Sequence, residues 1–462
     1  MPSSAAAPAA TSSSGVAAAW SSNLAVYLCT AGASVGLGSI WRFPYLAGTG
    51  GGSAFILIFV LACVLVATPL LAAELALGRR SRLSPPAAAG AVAGNPRWNV
   101  IGILGTLAAY LIFSYYTLIA AWVLAYAWKC AIGLLSAAGP QHVAALWTDF
   151  QSRPLEVGGW HAAFVAIVVI ISARGLQGGI EPANRIRAPA LLLLLLILVA
   201  YALATGDVRH GLAFAFKPDF SAVNAQVVLA AIGQAFYATG VGQAMMIAFG
   251  AYIERGTSLV RTSLVITGSI LAVSLLATMM IFPLVFGYGM NPAQGPALVF
   301  DVLPRVFTEM PGGRLIGTLF FLLLVLAATT PSIALVEPIA QWVMSRFRVR
   351  RATAVWGIGI TSWMLGIGSV LSFNRWADWF PLGFIPVFAH KTVFDVLDYV
   401  SSNIMMPVGA LLTSILVGWR VSQAFERDEL AETTPLARVA CVWLLRYVCP
   451  VAILAVFVAT LV

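Results

Sequence analysis

The sequence predicts an all-α membrane protein: two inverted five-span repeats, followed by one extra C-terminal span. Three observations carry this. The chain of 462 residues is 60% hydrophobic and 9% charged, with a mean hydropathy of +0.93; soluble domains carry about 25% charged residues. Hydropathy over a window of about 19 residues divides it into eleven apolar spans. The first and the sixth of these are interrupted by glycines, and corresponding interrupted spans in two halves point to an inverted-repeat transporter with a site near the midplane.

Residues 1–23 form a Ser/Ala-rich leader without the basic start of a cleaved signal peptide, so a cytoplasmic tail is expected. The first span, 24–46, holds Ala31 to Tyr45, AGASVGLGSIWRFPY. Gly32, Gly36 and Gly38 break its helix potential, and Arg42 and Pro44 follow. An intramembrane Arg is costly and marks a pathway. Open backbone at that depth survives only where it lines a cavity or is buried in protein. The stretch therefore reads as a discontinuous helix with a binding site at its break. Helix packing through the Gly32–Gly36 pair is the simpler alternative.

The next spans are 54–78, 101–135, 160–176 and 186–206, closing a first repeat over 24–206. The second repeat, 225–419, comprises 225–252, 260–288, 313–346, 353–373 and 389–419. Its first span carries Ile232 to Gln243, IGQAFYATGVGQ, broken by Gly233, Gly240 and Gly242. The eleventh span is 437–462. Segments 139–159 and 289–312 are expected as the larger outer loops.

Charge sets the orientation. With the N-terminus in the cytoplasm, inner loops hold sixteen Arg and the outer loops and span ends eight Arg or Lys, as the positive-inside rule requires. The net charge of +9 thus reflects topology, and no nucleic-acid partner is expected. The C-terminus falls outside. The partner is the lipid bilayer of a cell inner membrane or plasma membrane.

Other chemistry is excluded. Cys29, Cys63, Cys130, Cys441 and Cys449 show neither metal spacing nor a disulfide framework. His142, His161, His210 and His390 are dispersed and form no triad or metal motif. The protein is not expected to be an enzyme, nor to hold an organic cofactor or transition metal.

The motifs resemble the neurotransmitter:sodium symporters in their compact bacterial form, over roughly residues 20 to 420. GLGSIWRFPY (Gly36 to Tyr45), GGGSAF (Gly50 to Phe55) with the later Glu74, and the pair Tyr115-Tyr116 match in order. So do Gly233-Gln234 with the glycines after Tyr237, AATTPSIALVEP (Ala327 to Pro338), and FDVLDYVSSNIMMP (Phe394 to Pro407). The resemblance implies alternating access around a central site between spans one, three, six and eight. It also implies an amine or amino acid substrate. Amine carriers of the family hold an Asp where this chain has Gly36, so a zwitterionic amino acid is expected.

A substrate carboxylate needs donors, and N–H groups where a helix restarts supply them with the favourable dipole end. Gly36, Leu37, Gly38 and the Tyr116 hydroxyl would serve, with packing as the alternative for Tyr116. Carbonyls near Ser34 and Tyr237, where the helix unwinds toward Gly240, would accept from the ammonium. Ile112, Tyr237, Pro331 and Leu335 would form the side-chain pocket. Gln243 would bond a polar substrate or a neighbouring helix. Arg42 and Asp398 resemble an outer gate pair.

The resemblance weakens at the ion sites. The first sodium site would use Ser39, Ala238 and Ile270, of which the last two offer no side-chain oxygen. The second would use the carbonyls of Gly32, Val35 and Ala327 with Thr330, while Pro331 replaces a hydroxyl. Ser274 replaces an acid, and Phe59 and Ala238 replace chloride ligands, so chloride is not expected. At the inner mouth Trp20, Tyr252 and Glu337 remain, but an ion pair of the family is lost at both ends, Ala17 and Ser345. Glu337 reads as an unpartnered acid, for proton coupling or for a hydrogen bond within the bundle. A secondary amino acid transporter with weak, altered or lost sodium coupling follows. The alternatives are a sensor that binds without net transport, or a symporter using only the second sodium site.

Overall fold

The computed structural model describes residues 19–135, 139–217, 219–221, 223–291 and 298–461, and no strand occurs among them. The chain enters through two half-helices, α1a (Asn23–Ser34) and α1b (Gly38–Thr49), bent by 53° at the glycine break. It continues through α2 (Ser53–Ser81), α3 (Pro96–Ala131), α4 (Pro154–Ala173) and α5 (Leu176–Thr205). The sixth region is also split, into α6a (Ala225–Thr239) and α6b (Met245–Gly250). Then come α7 (Leu259–Gly287), α8 (Gly313–Phe347), α9 (Arg351–Leu371), α10 (Val393–Arg420) and α11 (Pro435–Thr460). Among the described residues nine continuous helices, and the bent α1 pair as a tenth, are long and apolar enough to cross a bilayer. Split α6 occupies the sixth expected span, which completes the eleven.

Local chemistry sets the helix starts. Ser22 accepts from the Ala25 N–H at 3.2 Å, Asn224 from Val227 at 2.9 Å, and Ser258 from Arg261 at 3.4 Å. Thr392 and Asp395 close a reciprocal capping box on α10. Each side chain satisfies a donor that a helix start leaves open.

Helices α3 and α8 form the centre. Buried residues make up 78% of the apolar window of α3 and 83% of that of α8, against 28% in α5 and α11 at the perimeter. The two central helices pack against each other more extensively than any other pair. α1a lies against α5, α7 and α8, and α6b lies against α2. Both breaks are thereby held at the middle of the bundle.

Span limits differ from the sequence expectation most at α5, which begins at Leu176 rather than at residue 186. Its first turns carry Glu181, Asn184, Arg185 and Arg187, which depress hydropathy. They are helical because one face is buried: Glu181 and Asn184 are 5% and 2% exposed. The expected outer loops also contain helix, Val143–Ser152 in the first and Leu303–Glu309 in the second. The expected tail lies outside the described residues up to residue 18.

Candidate binding site at the helix breaks

The α1 break is built by Val35, Gly36 and Leu37. Val35 is extended, at φ −81° and ψ 96°, and its N–H still reaches the Ala31 carbonyl at 2.8 Å. The Leu37 N–H donates to the Tyr116 hydroxyl of α3 at 3.3 Å. A Cβ on Gly36 would stand 2.7 Å from Pro331 Cγ and 3.0 Å from the Tyr116 oxygen. Only glycine fits where α1, α3 and α8 converge.

The α6 break requires left-handed backbone: φ is +68° at Gly240, +85° at Gly242 and +55° at Ala244. Glu74 of α2, 1% exposed, accepts from the Gly242 N–H at 2.7 Å. A carboxylate thus binds backbone that the open helix would leave unpaired. The two breaks are tied together. Ser34 Oγ donates to the Thr239 carbonyl at 3.3 Å, and Gln234 Nε2 to the Gly38 carbonyl at 2.8 Å.

Ser34, Gly36, Gly38, Ile112, Tyr116, Tyr237, Gly240, Gln243, Pro331 and Leu335 line one cavity of about 40 Å³, together with Ala33, Ala238 and Met245. Leu37 joins through its N–H to Tyr116. All the residues expected at the substrate site are therefore adjacent. Gln243 makes the interhelical contact: its Nε2 lies 3.3 Å from Met406 Sδ of α10. The cavity is narrow, whereas small-molecule sites typically measure several hundred Å³, so a ligand needs its walls to separate.

A second cavity, about 320 Å³, shares Tyr237 with the first and extends past Arg42, Phe236, Ser402 and Met406. Arg42 and Asp398, the expected outer gate pair, make no direct ion pair in this conformation. The Arg42 guanidinium sits 4.2 Å from the centre of the Tyr237 ring. Asp398 instead accepts from Tyr115 Oη at 2.8 Å and Ser402 Oγ at 3.0 Å. No direct Arg42–Asp398 bridge occurs among the ion pairs of the described residues. The Tyr237 face and Tyr45 lie against the Arg42 guanidinium, and the two hydroxyls donate to Asp398.

The opposite mouth is sealed. Trp20 donates through Nε1 to the Phe249 carbonyl at 3.2 Å and meets the Phe249 and Tyr252 rings edge-on at 5.3 and 5.8 Å. Ser21 donates through its N–H and its hydroxyl to the two Glu181 oxygens, at 3.0 and 2.6 Å. Glu337 is not unpartnered, contrary to expectation. Arg351 grips it with both amino groups, at 3.0 and 2.6 Å, and Tyr252 donates its hydroxyl to the same carboxylate. Arg351 was missed because residues 348–350 reverse the chain. That reversal sets the first residue of α9 beside a residue ten positions before the end of α8. The short connection, which forces antiparallel neighbours, was the available signal. Ala17 lies outside the described residues; Ser345 Oγ lies 3.3 Å from Ser84 Oγ.

At the expected second sodium site, α1a and α8 touch: a Cβ on Gly32 would stand 2.9 Å from Thr330 Cγ2. Pro331, inside continuous α8, has no N–H for the Ala327 carbonyl one turn earlier. That carbonyl therefore lacks its usual helical donor. At the expected first site, Ser39 Oγ is buried without a partner among the described residues. Ala238 and Ile270 are 4% and 0% exposed and bring no side-chain oxygen.

Comparison with known proteins agrees over nearly the whole chain. The profile of the Sodium:neurotransmitter symporter family matches residues 17–143 and 157–462. An uncharacterized sodium-dependent transporter, YhdH, of Bacillus subtilis (strain 168) is 34% identical, over 95% of this chain and 96% of its own. An uncharacterized sodium-dependent transporter of Haemophilus influenzae is 31% identical, over 96% and 98%. The crystal structure of MhsT in complex with L-phenylalanine superposes with a TM-score of 0.86 at 34% identity, covering 96% of this chain and 99% of that one.

Proposed function

Because this chain belongs to the sodium:neurotransmitter symporter family, a family of multi-pass membrane transporters and not of enzymes, we propose that it carries a zwitterionic amino acid. The observation that supports this most is the Leu37 N–H and Tyr116 hydroxyl converging beside Gly36. The restart of α1b offers donors and a positive dipole end to a carboxylate. Gly36 leaves the α1 break without the acid an amine would need. The ammonium faces the carbonyls of the two breaks near Ser34, Tyr237 and Gly240, and Ile112, Pro331 and Leu335 take the side chain. MhsT, crystallised with L-phenylalanine, is in keeping with this substrate class.

Transport proceeds by alternating access between the two five-span repeats, 24–206 and 225–419. The N-terminus is cytoplasmic and the C-terminus external, in a cell inner membrane or plasma membrane. The described conformation reads as sealed inside and unlatched outside. On substrate binding, Arg42 leaves the Tyr237 ring and joins Asp398 above the site. Trp20, Tyr252 and Glu337 form the inner closure. Sodium binds at most once, at Gly32, Val35, Ala327 and Thr330, because two first-site positions lack a side-chain oxygen and leave a small cation's desolvation uncompensated. Substrate binding then depends only weakly on sodium.

Two expected results test the site. Tyr116→Phe weakens amino acid binding by about 1–3 kcal/mol through an unpaired carboxylate oxygen. Equal affinity of variant and parent in calorimetry removes Tyr116 from the site. Asp398→Asn raises substrate-bound labelling of a cysteine placed at Leu46 in the outer cavity. If labelling stays unchanged, the pair does not gate.

A further inference from the structure

We propose that a groove at the outer surface of α3, α8 and α9 binds one anionic phospholipid of the adjoining leaflet. The groove measures about 870 Å³ and lies between the first turns of α3, the last turns of α8 and the first turns of α9. Ile103, Leu107, Val343, Phe347 and Ile358 are among its apolar walls. Gly357 forms part of it, and a Cβ there would meet no atom within 4 Å. The space beside this glycine is therefore unfilled, and a larger side chain there would occupy the groove.

The groove's depth suits one leaflet. From Thr353 to Thr361, both in the lining, α9 rises roughly 12 Å at about 1.5 Å per residue. Half of a bilayer's hydrocarbon core is about 15 Å. Phe347 and Trp342 are 61% and 38% exposed, so an acyl chain finds apolar surface without displacing protein. Thr106, also in the lining, is 7% exposed, and its hydroxyl has no partner among the described residues. An ester carbonyl is the acceptor a phospholipid brings to it.

Charge at the mouth selects the headgroup. Arg346, Arg348 and Arg350 are exposed at the α8–α9 turn. The ion pairs near this end are Arg79–Glu429, Arg80–Asp428 and Arg351–Glu337, and no carboxylate pairs with the three mouth arginines among the described residues. A second copy of the chain fits less well. A two-fold contact applies the same patch to itself, so two arginine mouths would meet, like charge against like.

The test uses the full chain in vesicles of phosphatidylcholine alone or mixed with phosphatidylglycerol, with brominated acyl chains on one lipid at a time. Bromine quenches nearby indole fluorescence, and the difference between the parent and Trp342→Phe isolates the signal at the groove. Brominated phosphatidylglycerol is expected to quench at a roughly fivefold lower mole fraction than brominated phosphatidylcholine, about 1 kcal/mol, the effect of even one surface arginine. The preference disappears in Arg346→Gln/Arg348→Gln/Arg350→Gln. It disappears also in Gly357→Leu, which fills open space and should fold. Native mass spectrometry of bound phosphatidylglycerol gives a second readout, lost in Gly357→Leu. Equal quenching by the two lipids overturns the proposal in favour of nonspecific surrounding lipid. No quenching by either, with concentration-dependent crosslinking of cysteines at residue 357, overturns it in favour of a second copy.

Discussion

Replacing Glu337 by Gln is expected to destabilise the protein by about 3 kcal/mol and to open its inner mouth. The carboxylate is fully buried, and its two oxygens accept from both amino groups of Arg351. Arg351 keeps 17% side-chain exposure, so water recovers part of the loss. Removing one partner of a buried pair costs about 3–5 kcal/mol because the other charge is stranded, and the lower end applies here. Tyr252 also loses its carboxylate acceptor, which loosens the ring that Trp20 packs against. The double variant Glu337→Gln/Arg351→Met should lose less than the single changes added together, since joint removal strands no charge. Thermal unfolding of the four proteins in one detergent measures the coupling. Strictly additive losses would show that the pair does not act as a unit.

Gly242→Ala is the second large effect. Gly242 has φ +85°, and an added Cβ would stand 2.8 and 2.9 Å from the Met406 Cα and carbonyl carbon of α10, with the carbonyl oxygen nearer still. Backbone cannot swing aside as a flexible side chain would. Left-handed strain costs about 1–3 kcal/mol, and overpacking adds about 1–3 kcal/mol. The shift would also pull the Gly242 N–H from Glu74. Both unfolding temperature and amino acid affinity should fall together. Gly268→Ala, on an exposed face of α7 with no atom within 4 Å of the new carbon, is the control and should change neither. A Gly242→Ala protein that binds as the parent does would mean that the break tolerates other geometries.

The breaks were legible because glycine, arginine and proline are conspicuous inside apolar runs, and their cost in a membrane is large. The neighbourhood of Gly36, Tyr116, Tyr237 and Leu335 was legible only through the ordered motifs; no periodicity brings α1, α3, α6 and α8 together. Hydropathy misplaced the start of α5 because Glu181 and Asn184 are polar yet buried on one helical face. Pairings across helices were hidden. Glu337 looked solitary until the α8–α9 turn returned Arg351 to it, and nothing near Ser21 in sequence announces Glu181. Arg42 and Asp398 do not pair directly. Arg42 lies against the Tyr237 ring and Asp398 accepts from Tyr115 and Ser402, and of these only Ser402 is near its partner in sequence.

The most direct test is counterflow of a radiolabelled amino acid into proteoliposomes, with sodium replaced by choline on both sides. The amino acid is first chosen by the thermal shift it produces, since a ligand stabilises the state it binds. Exchange in choline should persist at a rate comparable to that in sodium and fall in Tyr116→Phe. Exchange that is complete in sodium and absent in choline would contradict the account: the positions of Ala238, Ile270 and Pro331 would then still support an obligatory sodium.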